Sequence, residues 1–249
     1  MVKNIKTAAE IGNINLSEYK QMKIKKKDLI VVSALFVLAV LFTILVKVVD
    51  VQAIGPNNSE VGFASINKFF WNLTGEHTVL YKISEILGYL PILLALFYVG
   101  LGGFQLIKNK SFKKVDKTIY ILGAFYVIVA IVYVLFELVA LNYRPVLMGG
   151  ELEASYPSSH TLMAVCLCAS SIIVNKKLFN KNIVLKIANI ALIVLSAAIV
   201  VLRFISGVHW FTDILGGLII SALLLIVFYV VINMFNTNSI DKDTKAEIK

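Results

Sequence analysis

A chain of 249 residues that is 59% hydrophobic and only 16% charged, with a mean hydropathy of +0.84, carries more apolar surface than a soluble domain of its size can bury. This excludes an ordinary soluble fold and leaves a single membrane domain, with no linker or composition break inside it. The formal charge of +9 does not point to nucleic acid, because the lysines sit in short clusters between apolar runs and no base-reading motif accompanies them.

The expected fold is all-α, a polytopic membrane protein with six transmembrane helices in one bundle. Taken in order, residues 1–28 are polar and lysine-containing and read as a cytoplasmic amino-terminal segment. The first apolar run, Leu29–Val49, is longer than the ~7–15 residues of a signal-peptide core, so it is expected to remain as a span. Between Asp50 and Lys82, residues such as Phe63, Ile66, Phe70, Trp71 and Leu73 recur at roughly helical spacing. Either a helix lying in the membrane interface or a loop packed on the bundle fits them.

Further apolar runs follow at Ile86–Ile107, Ile119–Phe136, Leu162–Val174, Ile183–Leu202 and Ile214–Phe235. A helix needs ~20 residues to cross a ~30 Å hydrocarbon core. The run Leu162–Val174 is too short unless its helix starts back at Pro157, which places Ser158, Ser159 and His160 at the membrane surface. Cys166 and Cys168, two apart within that run, face different sides of a helix and suit neither a disulfide nor a metal site. Residues 236–249 read as a second cytoplasmic tail, disordered like the first, so the membrane domain is 29–235.

Orientation follows from lysine and arginine in the connections. With the amino terminus inside, inner segments hold 18 of the 24 basic residues and outer ones hold four, namely Lys68, Lys82, Arg144 and Arg203. Both termini are therefore expected in the cytoplasm.

The polar residues with chemical potential fall in the two outer connections that follow the third and fifth spans. The first connection contains Asn142-Tyr143-Arg144-Pro145 and Tyr156-Pro157-Ser158-Ser159-His160; the second contains Arg203, His209 and Asp213. Only two arginines occur in the chain, against 22 lysines, and both are here. Their use suggests bidentate recognition of a phosphate or carboxylate. Each residue also has an ordinary reading: the arginines as interfacial anchors, Ser158 as a simple N-cap. Together, and on one side of the membrane, they fit a phosphate site better. A helix starting at Pro157-Ser158-Ser159 turns its free amides and positive dipole end toward an anion. His209 and Asp213, at i and i+4, share a helix face, so the carboxylate can accept from one imidazole nitrogen and leave the other as a nucleophile. His160 can then protonate a departing alkoxide while Arg144 and Arg203 neutralise charge on the transferring oxygens. No metal and no cofactor is expected, because the arginines already supply the positive charge.

These residues resemble the type-2 phosphatidic acid phosphatase (PAP2) family, whose pattern has three blocks. They are lysine, six residues, Arg-Pro; then Pro-Ser-Gly-His; then Ser-Arg, five residues, His, three residues, Asp. Here the blocks read Glu137 to Arg144-Pro145, Pro157-Ser158-Ser159-His160, and Leu202-Arg203 to His209 and Asp213. The resemblance implies a metal-independent hydrolase in the cell envelope, cleaving a lipid phosphate or pyrophosphate at the outer membrane surface. The lipid would be of polyprenyl, phosphatidate or phosphatidylglycerol phosphate type. It also implies a phosphohistidine at His209 oriented by Asp213, His160 as general acid and then base, and phosphate binding by Arg144, Arg203, Ser158 and Ser159. The alternatives are a phosphotransferase using the same histidine and a non-catalytic lipid-binding relative. Three positions depart from the pattern: Ser159 for glycine, Leu202 for serine, and Glu137 for lysine. Glu137 lies seven residues before Arg144, so on one continuous helix the two would share a face, with Arg144 or Lys82 as its expected partner.

Overall fold

The structure is a computed structural model that describes residues 16–247. Seven α-helices follow in order: α1 (Leu16–Val48), α2 (Ala64–Thr74), α3 (Thr78–Asn109), α4 (Lys117–Val139), α5 (Ser159–Leu178), α6 (Ile183–Ile205) and α7 (Phe211–Glu247). All but α2 contain a stretch long and apolar enough to cross a membrane. The chain is a multi-pass membrane protein of the expected class. Helices α1 and α7 extend beyond the apolar runs to Leu16 and Glu247, so the described parts of 1–28 and 236–249 are helical where disordered tails were expected. The remaining parts of those two segments lie outside the described residues. The connection between the first two spans does contain a helix, α2.

Helix starts follow local sequence. Asp116 caps α4 by accepting from Thr118 N at 2.7 Å, and Asn182 caps α6 by accepting from Leu185 N at 2.8 Å. Ser158 caps α5, so this helix begins at Ser159 and gains the residues that its short apolar run lacked.

Helix α5 is the centre of the bundle and the most buried span. Leu162, Cys166, Leu167 and Val174 pack with Tyr98 of α3, Leu122, Phe125 and Val129 of α4, and Ile220, Phe228 and Ile232 of α7. Lipid tails are as apolar as leucine, so close fit and polar contacts hold such helices together rather than hydrophobic burial. Tyr98 donates to Asn175 Oδ1 at 2.7 Å, and Tyr126 Oη meets Ser171 Oγ at 3.2 Å. Where α7 crosses the start of α5, a Cβ at Gly216 would lie 2.3 Å from the Tyr156 ring. A side chain there would push α7 away from the residues that precede α5.

Candidate active site

The site lies at the end of the bundle where α4, α6 and α7 meet the start of α5. Helix α4 ends at Val139, with Ala140 in the left-handed conformation. The chain then doubles back as a short ribbon. Ser155 N donates to Asn142 O at 2.8 Å, Arg144 N donates to Glu153 O at 3.1 Å, and Met148 and Glu151 exchange backbone bonds. Gly149 and Gly150 turn the ribbon with φ of 62° and 93°, as a two-residue hairpin turn requires. Trp210 Nε1 donates to Tyr143 O at 2.8 Å, which docks the ribbon on the turn before α7.

That turn is fixed by Asp213. As third residue of α7 it reaches back to accept from Trp210 N at 2.8 Å, half of a capping box. Its backbone oxygen accepts from Ser158 N at 3.0 Å, tying the starts of α5 and α7 together. Asp213 and His209 are both buried, but Oδ2 and Nδ1 stand 3.8 Å apart, too far for a hydrogen bond. Ser155 fills the interval: its hydroxyl is 3.3 Å from His209 Nδ1 and donates to Asp213 Oδ2. A hydroxyl has one proton. With that proton on the carboxylate side, Nδ1 must be the N–H donor to Ser155 and Nε2 carries the lone pair. The direct contact expected from the i, i+4 spacing is thus replaced by a relay, because Ser155 occupies the space between the two side chains.

Burial holds His209 well below the ordinary histidine value of 6.5, with Arg144, Arg203 and His160 adding to the shift. The ring is therefore neutral near pH 7. Arg144, Arg203 and His160 are thus near enough for their charge to act on the ring. Arg203, fully buried on the last turn of α6, lies with its guanidinium carbon 5.0 Å from the centroid of the Tyr81 ring. All three of its nitrogens are buried without a hydrogen-bond partner in the protein. Arg144 Nε is 3.1 Å from Glu153 Oε2, an ion pair without hydrogen-bond alignment; Nη1 has no partner, and neither has His209 Nε2.

Ser158 is buried, with its hydroxyl accepting from Thr161 N at 3.5 Å. Ser159 borders two hollows. One, of about 10 Å³, is lined by Ser159, Glu137, Ser155 and His209 among others. The other is a groove of about 320 Å³ between α3, α4 and α5, bordered by His160, Glu85, Tyr89, Ile92, Tyr133 and Met163. His160 packs so closely on α3 that a Cβ at Gly88 would lie 2.7 Å from its Cδ2.

All seven residues singled out from sequence thus gather at one end of the bundle, joined by Ser155, which sequence reasoning passed over. The only signal for Ser155 was a hydroxyl beside the Tyr156-to-His160 block. Glu137 is placed differently from the expectation. Because α4 stops at Val139, Arg144 is on the ribbon and not on the same helix, and its ion pair is with Glu153. Among the described residues, no three His, Cys, Asp or Glu side chains gather as metal ligands would.

Residues 137–237 match the PAP2 superfamily model. Among solved structures, the chain is similar to a transmembrane PAP2-type phosphatidylglycerolphosphate phosphatase from Bacillus subtilis. The TM-score is 0.53 and the identity 20%, over 83% of this chain and 96% of that one. No curated protein matches the chain.

Proposed function

We propose, for a chain whose residues 137–237 carry the PAP2 superfamily pattern on a transmembrane PAP2 fold, that it is a lipid phosphate phosphatase working through a phosphohistidine at the outer membrane surface. The observation that carries this reading is the convergence of buried nitrogens without protein partners: all three of Arg203, Nη1 of Arg144, and Nε2 of His209. Buried polar groups normally find partners. Two guanidinium groups beside a neutral imidazole suit the tetrahedral oxygens of a phosphate.

In the reaction, the Nε2 lone pair attacks phosphorus as the bond to the lipid oxygen breaks. His160 gives its proton to that oxygen, and the groove it borders, with Ile92 and Met163 on its walls, takes the lipid part. Positive charge develops on the His209 ring and is met through Ser155 by Asp213. In the second half-reaction His160 takes a proton from water, water oxygen bonds to phosphorus, and the N–P bond breaks to return His209 and inorganic phosphate. The arginines hold the equatorial oxygens throughout, and the first-turn amides of α5, with Ser158 and Ser159, add donors.

The substrate class is a lipid phosphate or pyrophosphate of polyprenyl, phosphatidate or phosphatidylglycerol phosphate type. Phosphate release by the purified protein over a panel of these lipids tests the proposal. Wild type should release phosphate and carry label from a labelled substrate after acid-free quenching, whereas His209→Ala should do neither. Release by His209→Ala at the wild-type rate would overturn the mechanism. Binding without release by wild type would leave a lipid-binding relative instead.

A further inference from the structure

The opposite end of α5, at Lys176, lies about 24 Å from His160 at ~1.5 Å per residue. On the outer flank of α5 and α6, a hollow of about 520 Å³ runs between the two helices. Lys176, Lys181 and Lys186 stand at its mouth, and Ile172, Ile190 and Ile193 form its deeper wall. Its lining residues on α6, from Leu185 to Ile193, span ~12 Å of the helix, most of one leaflet of a ~30 Å hydrocarbon core. Beyond Ile172 and Ile193, which both hollows share, a second hollow of about 410 Å³ continues along the same flank. It stays open because Cys168, Ala169, Ser196 and Ala197 are small.

The charge at the mouth is unbalanced. From Ala154 to Thr212 the sequence contains no acidic residue, and among the described residues none of the three lysines is in an ion pair. Basic residues on a cytoplasmic connection serve orientation, but orientation does not require them to ring a hollow with an apolar bed. The geometry points to a site for one anionic phospholipid of the leaflet opposite the phosphate site, its headgroup phosphate among the three lysines and an acyl chain between α5 and α6. Basic pockets between spans at this depth bind acidic headgroups in the same way. Zwitterionic lipid presents no net charge to the lysines, and a second copy of the chain would bring its own basic flank against this one. The occupant would bridge the two helices that carry His160 and Arg203 at their far ends.

Native mass spectrometry of the full chain in detergent, titrated with phosphatidylglycerol or phosphatidylcholine, tests this without using catalysis. Wild type should retain one phosphatidylglycerol, and phosphatidylcholine at least about tenfold more weakly. Changing Lys176, Lys181 and Lys186 together to Gln should weaken retention by a similar factor. The same change at Lys108, Lys113 and Lys114, equal in charge and on the same side, should not. Ala197→Leu, which fills the bed and keeps every charge, should also weaken it. Equal loss in both lysine triples, equal retention of the two lipids, or full retention by Ala197→Leu would each overturn the site. So would a dimer mass that replaces lipid retention. Phosphate release by each variant reports whether it has folded, and is read separately from lipid retention.

Discussion

Ser155 has one proton to give, and its direction decides which nitrogen of His209 is free. Ser155→Ala leaves Nδ1 and a buried carboxylate oxygen facing each other across a gap. Hydrogen bonds to charged groups contribute ~1.5–3 kcal/mol, so kcat should fall about tenfold to a hundredfold with KM little changed. Ser155→Thr, which keeps the hydroxyl, should recover much of the loss; equal kcat in the alanine variant and wild type would remove Ser155 from the relay. The neutral state of His209 gives a second expectation at this scale. Its protonation is opposed by burial and by nearby positive charge, so the free protein binds fewer protons than the unfolded chain as pH falls below 6.5. Stability should decline over that range, and nitrogen NMR of labelled histidine should show this ring titrating well below the ordinary value. Glu137 gives a third. It shares the small hollow with His209 and adds negative charge where the family pattern has lysine. Along the series wild type, Glu137→Gln, Glu137→Lys, preference should move from monophosphate toward diphosphate lipid, most clearly at low salt. An unchanged preference with altered total rate would make Glu137 structural. Arginine, histidine and aspartate stand out in an apolar chain, which is why Arg144, Arg203, His160, His209 and Asp213 were legible as candidates in the sequence, with Ser158 and Ser159 picked out by the helix start beside His160. Ser155 was not, because serine is common and its partners lie 54 and 58 positions away.

Among the elements, α2 shows how a short amphipathic helix can control a turn far along the chain. Asn67 is fully buried; its amide nitrogen donates to Gly62 O and Thr212 Oγ1, and its oxygen accepts from Thr212 N at 3.1 Å. Trp71 Nε1 donates to Gly207 O, and Phe70 stacks on Phe211 with centroids 4.3 Å apart. Helix α2 therefore grips both sides of His209. Asn67→Ala leaves Thr212 N and Gly62 O short of partners, so thermal stability should fall by ~1–3 kcal/mol, with phosphate release reduced as well; loss of stability with full activity would show that the grip does not reach the site. The approach of α3 to α5 gives a separate handle. Gly88→Ala should displace His160 and slow substrates with poor leaving groups more than those with good ones, while a uniform effect would argue against leaving-group protonation. Hydropathy was enough to find five of the spans, because long apolar stretches have few other meanings; the span of α5 also needed its polar start at Ser159. The ribbon from Asn142 to Ser155 was not legible despite Gly149-Gly150, since so few paired residues leave no alternating pattern and docking on Trp210 supplies its stability.

At the level of the whole molecule, the excess of lysine in the connections after α3 and α5 predicts that the site faces outward, and this can be checked in intact cells. Single cysteines at Glu76 and Glu151, both exposed, should react with an impermeant thiol reagent, while one at Lys113 should not. The reverse pattern would put the chemistry in the cytosol. The native Cys166 and Cys168 are buried and are best removed for clarity. Activity should survive a chelator; loss with EDTA and recovery with a divalent ion would require another mechanism. The unpartnered guanidinium nitrogens also bear on the end of the catalytic cycle. Arg203, whose nitrogens have no partner in the protein, and the free Nη1 of Arg144 favour whatever anion reaches them, and the last one formed is inorganic phosphate. Free phosphate should therefore raise the melting temperature with the logarithm of its concentration, and the same affinity should make product release, more than bond cleavage, the slow event at high substrate.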